Sequence, residues 1–513
     1  MNRSVHSPMP SLFRSIRRHM VVLVLGLGSA VLILTNLRHS MLWADEAQTA
    51  LLSRMVLEHG VPLGTDGRNF FSHEQGAEYG PAYVWRWHTW LPFYILAAFF
   101  GTFGESTFVA RLPFALCGVA TVLASYRLAE SVWRERRAAL AAGGLLALSV
   151  PFLILTRQCR YYSMGALFTV LVLLTYWQFM ERHRFAGAGL IGALLLLFHT
   201  QYIYTVPVAA ALVLHALLWH RNRLRALIVL LLAVGLLCLP WVMWLSTMQY
   251  SRQYGHKVFD LLRASRNLKA FLMQLDTHML PWFVLEIPVI LLVVHVCRGT
   301  AAKCFDPGLW RGLSLLLLAI CANLALLALL APETFFRYLA PIVPLVTVLG
   351  GRIVTAVGRW HWSLAVLLVC LLIGRGPLLD YAYELTHDFN GPVEGITSYL
   401  NAHAKERDVV AITYGDMPLK FYTRLRVVGG LTGEDLSAAE GADWIIIRHH
   451  VCSVYELPVR KTLNEQIKRY KYEPIGLHCP DTRWQNREDP ADHLFRTVER
   501  EKRVIILQRI RTE

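Results

Sequence analysis

The sequence has few charged residues for its length. Asp, Glu, Lys and Arg make up 17% of the 513 residues, whereas a soluble globular chain carries about 25%. The shortage is uneven, because residues 1–375 contain long apolar runs while residues 380–513 have an ordinary soluble composition. About 20 apolar residues in a helix cross the ~30 Å hydrocarbon layer. The chain is therefore predicted to be a helical membrane bundle followed by one domain outside the bilayer.

Several functional signatures are also missing. The sequence has no Gly-rich phosphate loop, no zinc-type pairing of cysteines, no low-complexity tract and no evident internal repeat. Without a repeat, the repeat-built transporter folds are disfavoured. Most of the nine cysteines lie in apolar runs, where a thiol behaves as a small hydrophobe. In the tail only Cys452 and Cys479 remain, and an oxidising compartment would allow them to pair.

Basic residues are in excess, and the formal net charge is +15. In a soluble protein this charge would suggest a nucleic-acid partner. Here most Lys and Arg lie in short loops between apolar runs, a placement that fits membrane topology and anionic lipid headgroups. Membrane lipids are the expected partners of these residues, and no nucleic acid is expected.

Eleven apolar runs are predicted to form membrane helices. They cover residues 21–37, 109–129, 139–155, 165–180, 186–199, 204–219, 226–245, 282–297, 313–330, 338–357 and 362–373. The first is interpreted as a helix with a cytoplasmic N-terminus rather than a cleaved signal peptide, because no small-residue cleavage site follows it.

The distribution of Lys and Arg sets the predicted orientation. The loops after the even-numbered helices are basic, which agrees with a cytoplasmic N-terminus under the positive-inside rule. An odd helix count then places residues 380–513 outside. One predicted outer loop, 246–281, disagrees, because it contains five basic residues: Arg252, Lys257, Arg263, Arg266 and Lys269.

Two further segments shape the predicted outer face. The first outer loop, 38–108, carries an aromatic cluster at 85–90 of the kind that settles at headgroup level. Residues 91–100 are apolar but too short to span, so an interfacial or re-entrant helix is expected there.

In the tail, buried strands at 409–412, 444–447 and 504–507 and helices at 392–403 and 416–422 predict a small α/β domain.

Adjacent acidic residues, Asp45 and Glu46, directly follow the first apolar run. Acidic residues often end helices or solvate loops, so this pair alone does not establish a site. At the boundary between water and lipid, however, a carboxylate could deprotonate an acceptor hydroxyl while the leaving group stays anchored in lipid. Both residues are therefore candidates for catalysis.

Arginines also occur at outer helix ends, where the positive-inside bias disfavours them. Arg157, Arg160 and Tyr161 fill the short turn between the third and fourth apolar runs, and Arg337 with Tyr338 opens the tenth. These arginines either extend along the helix ends to reach water or bind a phosphate, which a guanidinium can hold with two hydrogen bonds.

Weaker candidates complete the predicted outer face. Lys257 and Arg263 belong either to a ligand site or to a solvated amphipathic helix. His88 lies near the outer face with three other histidines, without the tight spacing of metal ligands. These histidines are expected to be structural, so no metal ligand is assigned.

The order of these motifs resembles the GT-C membrane glycosyltransferases, in particular the branch of dolichyl-phosphate-mannose–protein mannosyltransferases and aminoarabinose transferases. The resemblance covers roughly residues 15–375. The matching elements are Trp-Ala-Asp-Glu at 43–46, His88 with Leu-Pro-Phe-Tyr ending at Tyr94, Ala-Arg-Leu-Pro at 110–113, the turn 157–162, and Arg-Tyr at 337–338 followed by two prolines.

The resemblance implies an inverting transfer of a sugar from a polyprenyl-phosphate carrier to a lipid, glycan or protein acceptor, through a hydroxyl or a phosphate. Asp45 then matches the family's catalytic acidic residue and is expected to act as the base, with Glu46 in support, and Arg160 and Arg337 match positions near the carrier phosphate. His88 and Tyr94 belong to the substrate loop. Gln158 replaces a carboxylate common in related bacterial sequences, which leaves a divalent metal open.

The prediction is a polytopic α-helical membrane protein, GT-C-like with about 11 transmembrane helices, and a C-terminal extracytoplasmic α/β domain. Residues 1–378 form the membrane domain and 379–513 the outer domain. The expected location is a bacterial inner membrane with the site facing the periplasm. The main alternative is a transporter or flippase for an amphipathic anion, and a third is a binding subunit. The transporter is disfavoured because the apolar runs carry few charged residues at mid-membrane.

Overall fold

The computed structural model describes residues 9–245, 260–297, 306–451, 453–482, 489–498 and 502–511. Membrane-domain helices are α1 Met9–Leu34, α2 Ala44–His59, α3 Leu91–Phe103, α4 Thr107–Trp133, α5 Arg136–Ala147, α6 Val150–Thr156, α7 Tyr162–Met180, α8 Ala186–Thr200, α9 Tyr202–Trp219, α10 Leu224–Trp244, α11 Leu261–His278, α12 Trp282–Cys297, α13 Pro307–Leu330, α14 Val343–Gly358, α15 Trp362–Gly374 and α16 Leu378–Glu384. Each of the eleven apolar runs overlaps one or two of these helices.

Fewer of these helices meet the length and composition of a membrane span. Within the described ranges, five helices do so alone, namely α4, α7, α9, α10 (counted with the preceding turn) and α13. The total rises to seven if two bent pairs, α5 with α6 and α15 with α16, each count as one span. The protein is an integral membrane protein, and the number eleven stays a prediction.

Prolines explain where two predicted helices differ from the sequence pattern. The run at 139–155 is broken by a 64° bend between α5 and α6, and Pro151 lies in the first turn of α6. A proline lacks the N–H that a continuing helix would need, so it favours a new helix start. Likewise Tyr338 lies in a separate 3₁₀ turn, Phe336–Leu339, and α14 begins only near Pro344.

The centre of the bundle is formed by α4, α5, α7 and α14, whose facing side chains are buried. Gly351 of α14 lies against α5 so closely that an added Cβ would stand 2.5 Å from the backbone oxygen of Ala138. Small residues let membrane helices approach and gain van der Waals contact. This packing fixes the arrangement of the central helices.

The first outer loop is more ordered than the sequence indicates, since it contains α2 as well as α3. The α2 helix was not predicted, because it is buried nearly all round and so carries no polar stripe that would reveal a helical period. The interfacial segment predicted at 91–100 is the helix α3, which begins with Pro92 in its first turn.

The C-terminal domain is α/β, as predicted. Its helices are α17 Pro392–His403, α18 Asp416–Tyr422 and α19 Leu457–Arg469, and its strands are β1 Val409–Ile412, β2 Arg426–Gly429, β3 Trp444–Ile446, β4 Tyr472–Pro480 and β5 Arg503–Arg509. The sheet order is β2-β1-β3-β5-β4. Strands β1, β2 and β3 run parallel, and β5 pairs antiparallel with β3 and β4.

Side chains alternate across this sheet as the strand period requires. Val410 and Ile412 of β1 enter one hydrophobic core, while Ala411 between them enters the core on the other face. Sequence reasoning missed β2 and β4. The β4 strand lies at the sheet edge and is mostly exposed over its first five residues, so it lacks the apolar pattern on which the other predictions depended.

The first outer loop pairs with the edge of this sheet. The Asn69 side-chain amide donates to the Leu425 carbonyl (3.1 Å) and accepts from the Val427 N–H (2.8 Å). Lys420, which is buried against Asp416, donates to the Phe70 carbonyl at 2.7 Å. These contacts hold the soluble domain and the loop together above the membrane helices.

Candidate active site

A cavity of about 720 Å³ lies between the loop 38–108 (the predicted first outer loop), the adjoining ends of the membrane helices and the C-terminal domain. Residues from six separate stretches of the chain line it. They include Asp45, Gln48, His73, Glu74, Glu78, His88, Arg160, Tyr161, Arg263, Arg337, Tyr338 and the segment 453–455. The cavity thus gathers most of the predicted site residues, although they are far apart in sequence.

Asp45 lies in the first turn of α2, where the helix dipole favours a negative charge. Its side chain is 20% exposed, with Oδ2 3.5 Å from Arg160 Nη2 and Oδ1 3.8 Å from His73 Nε2. Burial alone would raise the pKa of Asp45, but the charges of Arg160, Arg337 and His73 outweigh it and lower the pKa below its usual value. Asp45 is therefore ionised at neutral pH.

Glu46 has a different environment, although it is the next residue. It is fully buried, and its two oxygens accept hydrogen bonds from Arg111 Nε (2.8 Å) and Nη2 (2.6 Å). It also accepts from the backbone N–H groups of Cys159 (2.7 Å) and Trp43 (3.3 Å). Glu46 does not line the cavity, so the structure separates it from the position of Asp45.

The network around Glu46 joins three segments. Arg111 also donates to backbone carbonyls within 37–41. Because Glu46 holds the N–H of Cys159, the same carboxylate fixes the turn that carries Arg160. The Glu46–Arg111 pair thus positions α2, the end of the first helix and the 157–160 turn relative to one another.

Arg157 and Arg160 occupy one turn but have different partners. Arg157 is 8% exposed and donates to four carbonyl oxygens at the C-terminal end of α1, those of Leu32, Ile33, Thr35 and Asn36. A cation there satisfies carbonyls that the helix leaves unpaired. Arg157 therefore caps α1 and does not line the cavity, so the structure does not bring it together with the other residues predicted for the donor phosphate.

Arg160 is held at the edge of the cavity. Its Nη1 donates to Thr49 Oγ1 (3.0 Å) and to the Asp45 carbonyl (3.3 Å), and its guanidinium lies 5.3 Å from the Tyr161 ring centre. On the facing segment, the guanidinium of Arg337 stacks 4.0 Å from the ring centre of Phe335 and 5.5 Å from that of Tyr338. Two cations therefore flank Asp45.

The remaining cations predicted for the outer face belong to the segment 246–281, whose basic residues disagree with the positive-inside rule. Arg263 lies in the first turn of α11, lines the cavity and donates to the Ala331 carbonyl at 2.8 Å. The helix itself is amphipathic, as the solvated-helix alternative expected. Lys257 lies outside the described residues, so its predicted role at the donor phosphate stays a prediction.

The two predicted substrate-loop residues separate. His88 lines the cavity, where burial and the nearby Arg160 charge lower its pKa to about 3, so the ring is neutral. Its Nδ1 lies 2.9 Å from the Thr89 carbonyl. Tyr94 does not line the cavity. Its side chain is 43% exposed and its hydroxyl donates to the Gly60 carbonyl at 2.6 Å, which places Tyr94 outside the site as a loop-fixing residue.

In the turn 72–78, sequence reasoning offers Glu74 and Glu78 only as alternatives to Asp45 in the same loop, and it does not select His73. Glu78 organises this turn by accepting hydrogen bonds from Ser72 Oγ (2.6 Å) and from the N–H groups of His73 (2.6 Å) and Glu74 (3.0 Å). Burial and the carboxylates of Glu78 and Asp45 raise the pKa of Glu74 to about 7. The only signal in the sequence was two glutamates and a histidine within six residues of a polar loop.

A divalent metal and a disulfide, the two other features considered from the sequence, both stay predictions. Among the described residues, no group of three or more His, Cys, Asp or Glu side chains is placed to hold a metal ion. Cys479 is buried in β4, while Cys452 lies outside the described residues, so their pairing stays a prediction.

Comparison with known proteins finds one matching family and two related sequences. Residues 87–244 match the family described as dolichyl-phosphate-mannose-protein mannosyltransferase. Two strains of Pseudomonas aeruginosa contain an undecaprenyl phosphate-alpha-4-amino-4-deoxy-L-arabinose arabinosyl transferase that is 31% identical over 165 residues, covering 29% of this chain and 29% of the relative. The sequence match thus spans under a third of each of these relatives.

Solved structures match over most of the chain. The crystal structure of ArnT from Cupriavidus metallidurans bound to undecaprenyl phosphate aligns with a TM-score of 0.58 at 13% identity, over 95% of this chain and 98% of that one. The Archaeoglobus fulgidus oligosaccharyltransferase AglB, in complex with an inhibitory peptide and a dolichol-phosphate, aligns with a TM-score of 0.59 at 12% identity, over 92% and 75%.

Together these matches confirm the resemblance to the GT-C membrane glycosyltransferases, whose helical membrane region and C-terminal domain this chain shares. The matched family and the P. aeruginosa relatives are both of the branch that the motifs indicated, the mannosyltransferases and aminoarabinose transferases.

Proposed function

We propose that this protein transfers a sugar from a polyprenyl-phosphate carrier to an acceptor on the extracytoplasmic face, with inversion at the anomeric carbon. The observation that carries the proposal is the cavity itself. It sets one ionised carboxylate, Asp45, beside two arginines, Arg160 and Arg337, at the outer ends of apolar helices. The relatives named for undecaprenyl phosphate and the ArnT structure bound to it support this choice of carrier.

The arginines stabilise the leaving group. As the bond between the anomeric carbon and the phosphate oxygen breaks, negative charge grows on the phosphate, and fixed cations in a water-poor site lower the energy of that state. Arg160 and Arg337 are held by aromatic stacking and hydrogen bonds before substrate arrives. Tyr161, Tyr338 and Arg263 line the same cavity and complete the carrier-binding side.

Asp45 acts on the acceptor. It takes the proton of the acceptor group as the new bond to the anomeric carbon forms on the side opposite the departing phosphate. Its lowered pKa makes Asp45 a weak base that is always ionised. A weak base suffices when most of the driving force comes from departure of the phosphate. Glu46, committed to Arg111, supports Asp45 by fixing the first turn of α2.

The test is Asp45→Asn, which keeps the shape but removes the charge and basicity. Sugar transfer should fall by roughly 10²–10⁴-fold, the usual effect of losing a general base. Mass spectrometry of lipids and surface glycans would compare cells lacking the protein with cells carrying the parent or the variant. The parent should add one sugar-modified species, and that species should nearly vanish with Asp45→Asn.

The matched control is Glu58→Gln, which neutralises a half-exposed carboxylate at the far end of the same helix. Its transfer should equal the parental level. Purified Asp45→Asn should still bind undecaprenyl phosphate, because the arginines remain. Parental transfer by Asp45→Asn would refute the assignment of Asp45, and a parent that adds no sugar-modified species would refute the proposed function.

A further inference from the structure

The two oxygens of Asp45 face different parts of the cavity. Oδ2 lies 3.5 Å from Arg160 Nη2, on the side where the carrier phosphate is proposed to bind. Oδ1 lies 3.8 Å from Nε2 of His73, which belongs to the first outer loop. If the proposed function is right, the carrier lies on the arginine side, and the acceptor therefore approaches from the side of His73.

The turn that carries His73 is fixed by hydrogen bonds to Glu78. The backbone N–H of His73 donates to Glu78 Oε1 at 2.6 Å, and the same carboxylate fixes the neighbouring Glu74 N–H at 3.0 Å and the Ser72 hydroxyl at 2.6 Å. Glu78 also accepts from Gln48 of α2 at 3.3 Å. Because Gln48 and Asp45 lie on one helix, this carboxylate ties the loop of His73 to the helix of Asp45.

The imidazole of His73 has an unused polar atom. The side chain is 16% exposed and lines the cavity, and its Nε2 is buried without a hydrogen-bond partner among the residues that the structure describes. A buried polar atom left without a partner is unfavourable. A group that enters the cavity can supply the missing bond.

The distance between the two side chains suits a shared ligand. At 3.8 Å, His73 Nε2 and Asp45 Oδ1 are too far apart for a direct hydrogen bond. A single oxygen atom placed about 2.8 Å from each of them would make a hydrogen bond to both. Such an oxygen would lie to one side of the line that joins the two atoms, on the side of the cavity.

We propose that His73 and Asp45 hold the acceptor between them, and that the acceptor group is a neutral hydroxyl rather than a phosphate. This inference rests on the proposed function. His73 Nε2–H donates to one lone pair of the hydroxyl oxygen, and the hydroxyl donates its hydrogen to Asp45 Oδ1. The second lone pair remains free to attack the anomeric carbon.

The step balances without a further reactant. The bond between the acceptor oxygen and the anomeric carbon forms as the bond between that carbon and the phosphate oxygen breaks. The hydroxyl proton passes to Asp45 Oδ1, and the electron pair of the broken bond leaves with the carrier phosphate, which stays paired with Arg160 and Arg337. The proton is later lost to water.

The charges on this side of the cavity favour a neutral acceptor. Glu74 and Glu78 line it together with Asp45, and the carboxylates of Glu78 and Asp45 are close enough to help raise the pKa of Glu74 to about 7. A phosphate that approached His73 would meet these carboxylates and be repelled. A hydroxyl carries no charge and meets no such barrier.

The experiment compares His73→Ala with His73→Gln in the full-length protein. The glutamine amide nitrogen can occupy nearly the position of Nε2 and still donate, whereas alanine cannot. In cells, mass spectrometry of lipids and glycans should show the sugar-modified product reduced about 100-fold by His73→Ala and less than 10-fold by His73→Gln. Binding of undecaprenyl phosphate to both purified variants should stay within twofold of the parent.

A control and a chemical readout separate the alternatives. His59→Gln changes a half-exposed histidine on α2 and should leave the product level unchanged. The parental product should resist mild acid, as a glycoside does, whereas a glycosyl phosphate is cleaved. An acid-labile product, or parental transfer by His73→Ala, would overturn the inference while the proposed function stands. Absence of any product from the parent would overturn both.

Discussion

Two neighbouring carboxylates, Asp45 and Glu46, occupy opposite kinds of environment in the first turn of α2. Glu46 is fully buried and accepts two short hydrogen bonds from one arginine, Arg111. The side chain of Asp45 is 20% exposed and faces the cavity, and its carboxylate lies 3.5 Å from Arg160 Nη2 without a close hydrogen bond to that guanidinium. A helix turns about 100° per residue, so adjacent side chains point in different directions.

The two environments suit two different roles, a structural one for Glu46 and a ligand-contacting one for Asp45. A carboxylate whose oxygens are all occupied by protein donors can hold segments together but has no lone pair for a substrate. A carboxylate set at a distance from its cation keeps its charge and leaves room for a ligand. The same comparison applies to the arginines, because Arg157 is saturated by carbonyls and Arg160 faces the cavity.

The largest expected effect is that of Glu46→Gln, which tests the structural role of Glu46. This change leaves the Arg111 guanidinium buried without its counter-charge, which typically costs about 3–5 kcal/mol. We expect poor recovery of folded protein, measured by size-exclusion chromatography and thermal unfolding in detergent. Asp45→Asn should unfold close to the parental temperature, since its charge is partly solvated.

If Glu46→Gln were as stable as the parent but inactive, Glu46 would belong to the reacting groups and the separation would be wrong. Arg111→Lys serves as the companion variant. It keeps one positive charge but loses the two-pronged contact and the bonds to the 37–41 carbonyls. Its stability should fall between those of the parent and Glu46→Gln.

Arg157 and Arg160 allow the same distinction to be tested within one turn. Arg160→Gln should weaken binding of undecaprenyl phosphate by roughly 10- to 150-fold, the equivalent of about 1.5–3 kcal/mol for a charge-assisted hydrogen bond. Arg157→Gln should instead lower the unfolding temperature and leave carrier binding of the folded fraction unchanged. Carrier titration and thermal unfolding on both purified variants test this. Equal binding by parent and Arg160→Gln would mean that Arg160 does not contact the phosphate.

The smallest expected effect concerns Glu74. Its pKa is raised to about 7 in the folded protein from the usual 4.5, so between these values the folded state binds more protons than the unfolded state. Stability should then decline as pH rises from about 4.5 to 7. Glu74→Gln should remove this contribution. The variant should be relatively more stable than the parent at pH 8 than at pH 5, and a constant difference in unfolding temperature across that range would contradict the raised pKa.

Membrane helices were the most predictable part of the fold. A run of apolar residues in a bilayer has few alternatives to a helix, since every backbone group must find a partner within the segment. Proline positions explain the misplaced starts, as at Pro151 and Pro344. The α2 helix was not predictable, because tertiary packing buries it on all sides and no periodic stripe remains in its sequence.

The site was predictable to the extent that it lay at helix ends. Asp45, Arg160 and Arg337 stand out because charges beside apolar runs are unusual. Nothing local distinguishes Arg157 from Arg160 or Glu46 from Asp45, since only their partners, up to 125 residues away, decide which side chain is free. His73 gave only the weak signal of a histidine beside two glutamates, and the segment 453–455 gave none, because their place in the cavity depends on how the first outer loop and the C-terminal domain come together.

The pairing of the first outer loop with the C-terminal domain has a consequence for how the protein is made. Asn69 and Phe70 bond to partners at least 350 residues later in the chain. At a synthesis rate of about 5–20 residues per second, that interval lasts roughly 20–70 s. During that time the loop that carries His73 lacks its partner, so the cavity is one of the last parts of the molecule to form. A chain halted before its final domain would insert into the membrane yet lack the completed cavity.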